Sequence, residues 1–149
     1  MAKPVVFSGI NEEVLQRAAG ILDSVGWISV VRQAGGYHLA VKVRSEVEED
    51  IRWMEGHFGG YYGEQEKEGK KVYWLNLHAR RCEKFLREVR PYLGKRGEQA
   101  DLLFELRGLI GKRGKRVSPE NRAERERIVE AIRRINRDGF LISEGSLQR

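Results

Sequence analysis

The stretch that decides the fold spans residues 18–31. It reads Ala-Ala-Gly-Ile-Leu-Asp-Ser-Val-Gly over 18–26 and Trp-Ile-Ser-Val-Val over 27–31. The small residues of the first part allow two helix backbones to approach each other closely, and Gly26 allows a sharp turn out of the helix. The apolar residues that follow are β-branched and strand-like in their spacing. The stretch therefore predicts a closely packed helix that leads directly into a β-strand.

The rest of the chain alternates between helical and strand-like spacing. Asn11 is the predicted N-cap of a first helix over 12–25. The other predicted elements are strands 27–33 and 37–45 around the glycine-containing loop 34–36, a helix ending at Gly59, strands 61–66 and 70–77 around Gly69, a helix from 79 to near Pro91, a helix over 98–110, and a last helix that begins at Ser118-Pro119. This order predicts an α+β fold with an antiparallel sheet.

The length of 149 residues predicts one domain, over 1–138, followed by a flexible tail over 139–149. The sequence has no apolar run of membrane-spanning length and no secretory signal, so we expect a cytoplasmic protein without a membrane partner. The lone cysteine, Cys82, excludes an internal disulfide and a zinc site built from cysteines. His38, His57 and His78 are scattered along the chain and are interpreted as separate surface residues, so no metal site is predicted.

The charge is uneven. The net charge is +6, and residues 79–149 contain nineteen Lys or Arg against eleven Asp or Glu, whereas residues 1–78 contain nine against eleven. A basic excess fits a polyanionic partner such as nucleic acid, although many soluble proteins share it. Within the first half, Glu64, Glu66 and Glu68 cluster in the second hairpin, and we expect them to oppose DNA binding.

Several landmarks occur together in this chain. Residues 18–26 resemble the LAGLIDADG motif of homing endonucleases, and residues 73–100 are similar to the family's second landmark, a strand feeding a helix that ends in Pro-Tyr-Leu, with Gln-Ala beyond. Phe58-Gly59-Gly60 and Arg134-Ile135-Asn136 also match the family's order, so the resemblance covers roughly residues 11–138. It implies the order αββαββα with extra C-terminal helices and an antiparallel four-stranded DNA-binding saddle.

The resemblance also implies partners and site residues. Members of this size are homodimers that bind double-stranded DNA, and the motif helices would meet at Ala18, Ala19, Gly20, Asp23 and Ser24. Alternate residues on the strands would face the DNA, namely Ser29, Val31, Gln33, His38, Ala40, Lys42, Arg44, Tyr61, Gln65 and Lys67. The facing of the fourth strand is ambiguous, because Tyr73, Leu75 and Leu77 also fit a core.

The catalytic centre that the resemblance implies is degenerate. The family's metal-binding acid precedes the last glycine of the motif, where this chain has Val25, whose isopropyl group cannot ligate a hard cation. Asp23 lies about 200° around the helix from that position and cannot replace it. Ser45 and Arg96 occupy the positions of the family's polar and basic accessory residues. The sequence thus predicts no catalytic residues and no cofactor, with Mg²⁺ required only if the chain is a nuclease after all.

We therefore expect an inactive LAGLIDADG-type homodimer that binds double-stranded DNA, with regulation of its own locus or nearby genes as a consistent role. Three alternatives remain open. The chain is an active metal-dependent homing endonuclease that uses acids elsewhere, or it uses the fold for protein contacts alone. In the third alternative it is an intron RNA-binding maturase, whose RNA face would comprise Arg80, Arg81, Lys84, Arg87 and the loop 112–116.

Overall fold

A computed structural model describes residues 4–33, 36–110 and 118–147, with side chains described as far as residue 137. The elements are α1 (Glu12–Val25), β1 (Gly26–Gln33), β2 (Gly36–Ser45), α2 (Glu48–Phe58), β3 (Tyr61–Lys67), β4 (Lys70–His78), α3 (Ala79–Val89), a 3₁₀ turn (Arg90–Tyr92), α4 (Gly97–Ile110) and α5 (Pro119–Leu147). The predicted α+β class and element order are confirmed. The loop residues 34, 35 and 111–117 lie outside the described residues.

The four strands form one antiparallel sheet in the order β1-β2-β4-β3. Helices α1, α2 and α3 all pack on one face of this sheet. Side chains alternate between the two faces along each strand, so the apolar set turned toward the helices is buried: Ile28, Val30, Leu39, Val41, Val43, Tyr73, Leu75 and Leu77. The same core contains Cys82 on α3, whose burial raises the pKa of its thiol to about 12. We call the other side of the sheet the open face.

The first helix begins and ends as the sequence indicates. The Asn11 side chain accepts a hydrogen bond from the backbone N–H of Val14 at 2.9 Å, which satisfies one of the free donors of the first turn. At the other end, Gly26 is extended, and a Cβ there would lie 2.6 Å from Cδ1 of Leu22. Glycine is therefore needed at this position because a side chain would clash with Leu22, and not because the backbone adopts an unusual angle.

The chain divides into two compact units, residues 1–97 and 98–149. In the second unit, Gln99 donates from Nε2 to Oδ1 of Asn136 at 2.5 Å, and Arg125 donates to the carbonyl oxygen of Leu109 at 2.9 Å, so α4 and α5 are joined by polar contacts. Ser118 caps α5 by accepting from the N–H of Asn121 at 3.1 Å. Side chains beyond residue 137 lie outside the described residues, and the flexible tail over 139–149 stays a prediction.

Candidate nucleic-acid interface

The open face collects every strand residue that the sequence assigned to DNA contact. The strand register places them together with residues of β4: Trp27, Lys42, Asn76 and Tyr61 form one row across all four strands, and Arg44, Trp74 and Gly63 form another. Tyr61 is 71% exposed and Val31 is 43% exposed, and Gln33, Gln65 and Lys67 are exposed as well. Ser29, His38 and Lys42 are half-buried.

Ala40 requires a correction. Its position on this face is as expected, but its side chain is fully buried (0% exposed) because it lies between Ser29 and His78 on the flanking strands. Ala40 therefore forms the floor of the open face and does not reach a ligand.

The open face has a single sign of charge. Its strand residues include Lys42, Arg44, Lys67 and Lys70, and none of its described strand positions is Asp or Glu. The expectation about the glutamates is corrected: Glu64 and Glu66 alternate onto the opposite side, where the Tyr62 hydroxyl donates to Glu64 Oε2 at 3.2 Å. Glu64 and Glu66 therefore do not oppose an anion on the open face, while Glu68 lies in the turn between β3 and β4.

The interpretation of the histidines as separate residues is also wrong for two of them. Nε2 of His38 and Nδ1 of His78 lie 2.7 Å apart, across β2 and β4, so the N–H of one ring donates a hydrogen bond to the nitrogen of the other. The Tyr61 ring lies beside His78, with 5.4 Å between ring centroids. Partial burial lowers the pKa of His78, and the charges of His38 and Lys42 lower it further. His78 and His38 therefore form a hydrogen-bonded pair on the open face, across its two central strands.

Strand β4 supplies the residues that sequence reasoning missed. Tyr73, Leu75 and Leu77 face the core, which resolves the ambiguity and places Trp74, Asn76 and His78 on the open face. Trp27 on β1 was also missed. Strict alternation from the buried Leu75 and Leu77 would have found the β4 set, but the adjacent aromatic residues Tyr73 and Trp74 hid the period.

The C-terminal end of α1 is where the family's acid would lie. Both carboxylate oxygens of Asp23 accept backbone hydrogen bonds, Oδ2 from Gly94 and Oδ1 from Arg96, each at 2.8 Å. Asp23 thus holds the segment that leads into α4. Val25 is the last residue of the helix and is 36% exposed.

The two accessory positions have structural contacts of their own. The hydroxyl oxygen of Ser45 accepts a hydrogen bond from the N–H of Val47 at 3.0 Å, at the turn that precedes α2. The Arg96 side chain is largely buried, and burial lowers the pKa of its guanidinium while the Asp23 carboxylate acts in the opposite direction. Arg96 and Asp23 therefore lie close to each other, at the end of α1.

These residues do not fit a divalent metal ion. Mg²⁺ in proteins requires oxygen ligands with free lone pairs, usually carboxylates. Val25 offers no ligand, and each oxygen of Asp23 accepts a backbone hydrogen bond, which directs this carboxylate toward Gly94 and Arg96. Among the described residues, no three His, Cys, Asp or Glu side chains converge in a way that could hold a metal ion.

The predicted dimer surface of α1 is partly corrected. Ala18 and Ala19 are fully buried within a single chain and are not available to a second copy. Gly20 and Ser24 are exposed, and a Cβ at Gly20 would meet nothing within 4 Å. Of the five residues assigned to the interface, these two are therefore the ones that lie open on the surface of the helix.

The basic residues of α3, on which the RNA alternative depends, are largely engaged. Arg81 donates to the carbonyl oxygen of Phe58 at 2.6 Å, Lys84 donates to that of Val5 at 2.8 Å, and Arg87 forms an ion pair with Glu83 at 3.0 Å. Arg80 is exposed, and the loop 112–116 lies outside the described residues.

Comparison with known proteins places the fold. No protein-family model and no curated protein matches the chain. Among solved structures, the homing endonuclease I-CvuI in complex with its target superposes with a TM-score of 0.66 at 14% identity, covering 84% of this chain and 85% of that one. The archaeal intron-encoded homing endonuclease I-Vdi141I, complexed with DNA, gives 0.60 at 13% identity, covering 83% and 86%. The homing endonuclease I-TnaI gives 0.55 at 16% identity, covering 83% and 93%.

The chain therefore has the fold of the LAGLIDADG homing endonucleases. The resemblance read from residues 18–26 is confirmed at the level of the fold, and the neighbours that carry it are single-domain proteins of similar length. Within the described residues, no helix is both long and apolar enough to cross a membrane.

Proposed function

We propose that this protein is a catalytically inactive LAGLIDADG-type homodimer that binds double-stranded DNA on its open face, as a regulator and not as a nuclease. One observation carries the proposal: the open face holds Lys42, Arg44, Lys67 and Lys70 and, in its described strands, no acid, although residues 1–78 as a whole contain more acids than bases. Such segregation of charge suits a polyanion.

The neighbouring structures support this use of the sheet. The structure of I-CvuI contains its target and that of I-Vdi141I contains DNA, and this chain shares the fold of both proteins. Lys42 and Arg44 make no hydrogen bond or ion pair to any described residue, so they are available to phosphates or to guanine edges. The lack of a metal ligand at Val25 supports binding without cleavage.

The proposal is tested by selecting bound fragments from randomised duplex DNA with the unmodified protein. A homodimer is expected to enrich a pseudo-palindromic site, because the symmetry of the site mirrors that of the protein. The selected duplex is then incubated with Mg²⁺ or Mn²⁺, and we expect it to remain intact. Absence of any enriched duplex would overturn the proposal.

Substitutions locate the surface. Lys42→Ala and Arg44→Ala should each weaken duplex binding, by about 1–3 kcal/mol where the contact is bidentate to a base. Lys71→Ala is the matched control, because Lys71 is exposed on β4 but alternates onto the opposite side of the sheet. Neutralising Lys112, Arg113, Lys115 and Arg116 should weaken binding less and equally for all sequences. A dominant effect of this loop on structured RNA would instead support the maturase alternative.

A further inference from the structure

Large aromatic side chains lie among the basic residues of the open face. Trp27 and Tyr61 occupy the two ends of one row across the sheet, with Lys42 and Asn76 between them. Trp74 follows on β4, two residues from Asn76. Tyr61 is 71% exposed, and both tryptophans keep part of their surface in solvent. Aromatic surface that a protein leaves exposed in such a concentration marks a binding site.

Trp74 is held in place by its neighbouring strand. Its cross-strand partner is Gly63, and a Cβ at position 63 would lie 2.3 Å from both Cε2 and Cζ2 of the indole. The ring therefore occupies space that any other residue would fill, and it is positioned before a ligand arrives. Preorganisation of this kind reduces the entropy that binding costs.

Duplex DNA makes little use of these rings. Its bases are stacked on one another and present only their edges in the grooves. Unpaired bases expose their π faces, and aromatic side chains on an antiparallel sheet commonly stack on them, with basic residues along the backbone. The rings of the open face are separate platforms, because diagonal neighbours such as Tyr61 and Trp74 lie about 7–8 Å apart on adjacent strands.

We infer that the open face also binds single-stranded polynucleotide, with bases stacked on Trp27, Tyr61 and Trp74 and phosphates bound by Lys42 and Arg44. Charge complementarity favours this occupant over a protein, because the face carries these cations and no acid in its described strands. The inference goes beyond duplex binding and does not depend on it. Because both ligands would use one surface, single strands are expected to displace duplex.

The test uses intrinsic tryptophan fluorescence of the full chain. The sequence contains three tryptophans, and Trp53 lies on α2, where it is covered by the guanidinium of Arg17 at 4.2 Å. In a Trp53→Phe variant, the emission comes from the two tryptophans of the open face. Titration with a dT oligonucleotide of about 12 nucleotides is expected to quench this emission, because bases stack on the indole rings. A DNA hairpin with the same number of nucleotides, whose bases are paired, is expected to quench it much less.

Substitutions of the aromatic residues then show which rings contribute to dT binding. Trp74→Leu and Tyr61→Leu should each weaken dT binding by about 5- to 100-fold, while Trp74→Phe, which keeps a ring, restores most of it. Tyr61→Leu also serves if Trp74→Leu fails to fold, since the exposed Tyr61 contributes little to the core. The Trp53→Phe change should leave affinity unaltered.

The outcomes separate the two functions. Tighter binding of the corresponding U oligonucleotide supports the inference and identifies the ligand as RNA, whereas tighter binding of dT identifies it as DNA. Loss of duplex binding with retained dT binding would remove the proposed function alone. Absence of dT and U binding, or affinities unchanged in both the Trp74→Leu and Tyr61→Leu variants, would overturn the inference.

Discussion

At the last turn of α1, Asp23 and Val25 lie two residues apart. Their side chains point in different directions around the helix and therefore have different surroundings. Asp23 turns toward Gly94 and Arg96 and accepts hydrogen bonds from their backbone N–H groups, whereas Val25, at the position that the sequence resemblance assigns to the family's acid, is partly exposed. The sequence was sufficient to predict that Asp23 and Val25 point in different directions, because helix geometry separates them. It was not sufficient to predict the partners of Asp23, which lie about seventy residues away.

Val25→Asp should introduce binding of Mg²⁺ or Mn²⁺, because it restores a carboxylate at the end of α1. Thermal stability without metal should fall slightly, by about 0.3–1 kcal/mol, since the new charge lies at the negative end of the helix dipole. Calorimetric titration and thermal unfolding measure both effects. Val25→Asn is the control, because it places a side chain of the same shape at this position without the charge. Clean double-strand cleavage by the unmodified protein would contradict this view of position 25.

Asp23→Ala should lower the free energy of unfolding by about 1.5–3 kcal/mol, the usual contribution of hydrogen bonds to a charged group. Urea denaturation measures the change. Glu13→Ala removes an exposed carboxylate from the opposite end of the same helix and should cost less. Equal effects of the two substitutions would show that the hydrogen bonds of Asp23 do not stabilise the segment before α4.

At the scale of elements, the strands show when the alternation of apolar and polar residues is enough to predict which side chains face the core. In β2, Leu39, Val41 and Val43 alternate cleanly, so both faces were predictable. In β4, Tyr73 and Trp74 are adjacent and both aromatic, so only the register with β2 and β3 assigns them. The contact between His38 and His78 likewise depends on how β2 pairs with β4, which local spacing does not encode.

The His38–His78 pair predicts a pH dependence of stability. Because burial lowers the pKa of His78 in the folded state below its unfolded value near 6.5, the unfolded chain binds a proton first as the pH falls. The free energy of unfolding should therefore fall as the pH decreases through about 6.5 and level off below the folded pKa. The groups facing the ring are His38, Lys42 and Tyr61.

Urea denaturation between about pH 5 and pH 8 measures this slope, which His78→Gln should reduce. His57→Gln is the control, because His57 lies on α2 and bonds instead to the carbonyl oxygen of Ser8 at 2.6 Å. A slope that is the same in the His78→Gln variant would exclude the pair as its source.

At the scale of the whole molecule, the distribution of charge over the surface and the assembly of subunits were the features least predictable from the sequence. Residue counts describe residues 1–78 as slightly acidic, yet one face of their sheet is basic, because Glu64 and Glu66 alternate away from Lys42 and Arg44. The fold itself was predictable from the small-residue helix, since packing restricts residue size there. The partner of that helix was not, because Ala18 and Ala19 are buried within one chain.

Gly20→Leu should convert the proposed homodimer to monomers without unfolding them, because a side chain there meets nothing in its own chain but would fill the space between two α1 helices. Overpacking of this kind costs about 1–3 kcal/mol or more. Sedimentation measures the oligomeric state. Gly56→Leu is the control, since Gly56 is also an exposed helical glycine with open space around it. A Gly20→Leu protein that stays dimeric would place the interface elsewhere.

The buried position of Cys82 makes the alkylation of its thiol a measure of how the folded protein opens. The chain has one cysteine, it is fully buried on α3, and burial raises its thiol pKa to about 12. Only a thiolate that solvent can reach is alkylated, so each modified molecule has passed through a state in which Cys82 was exposed to solvent. The alkylation rate thus reports the fraction of molecules in this open state, without an added label, and a nucleic acid that binds the open face should slow it.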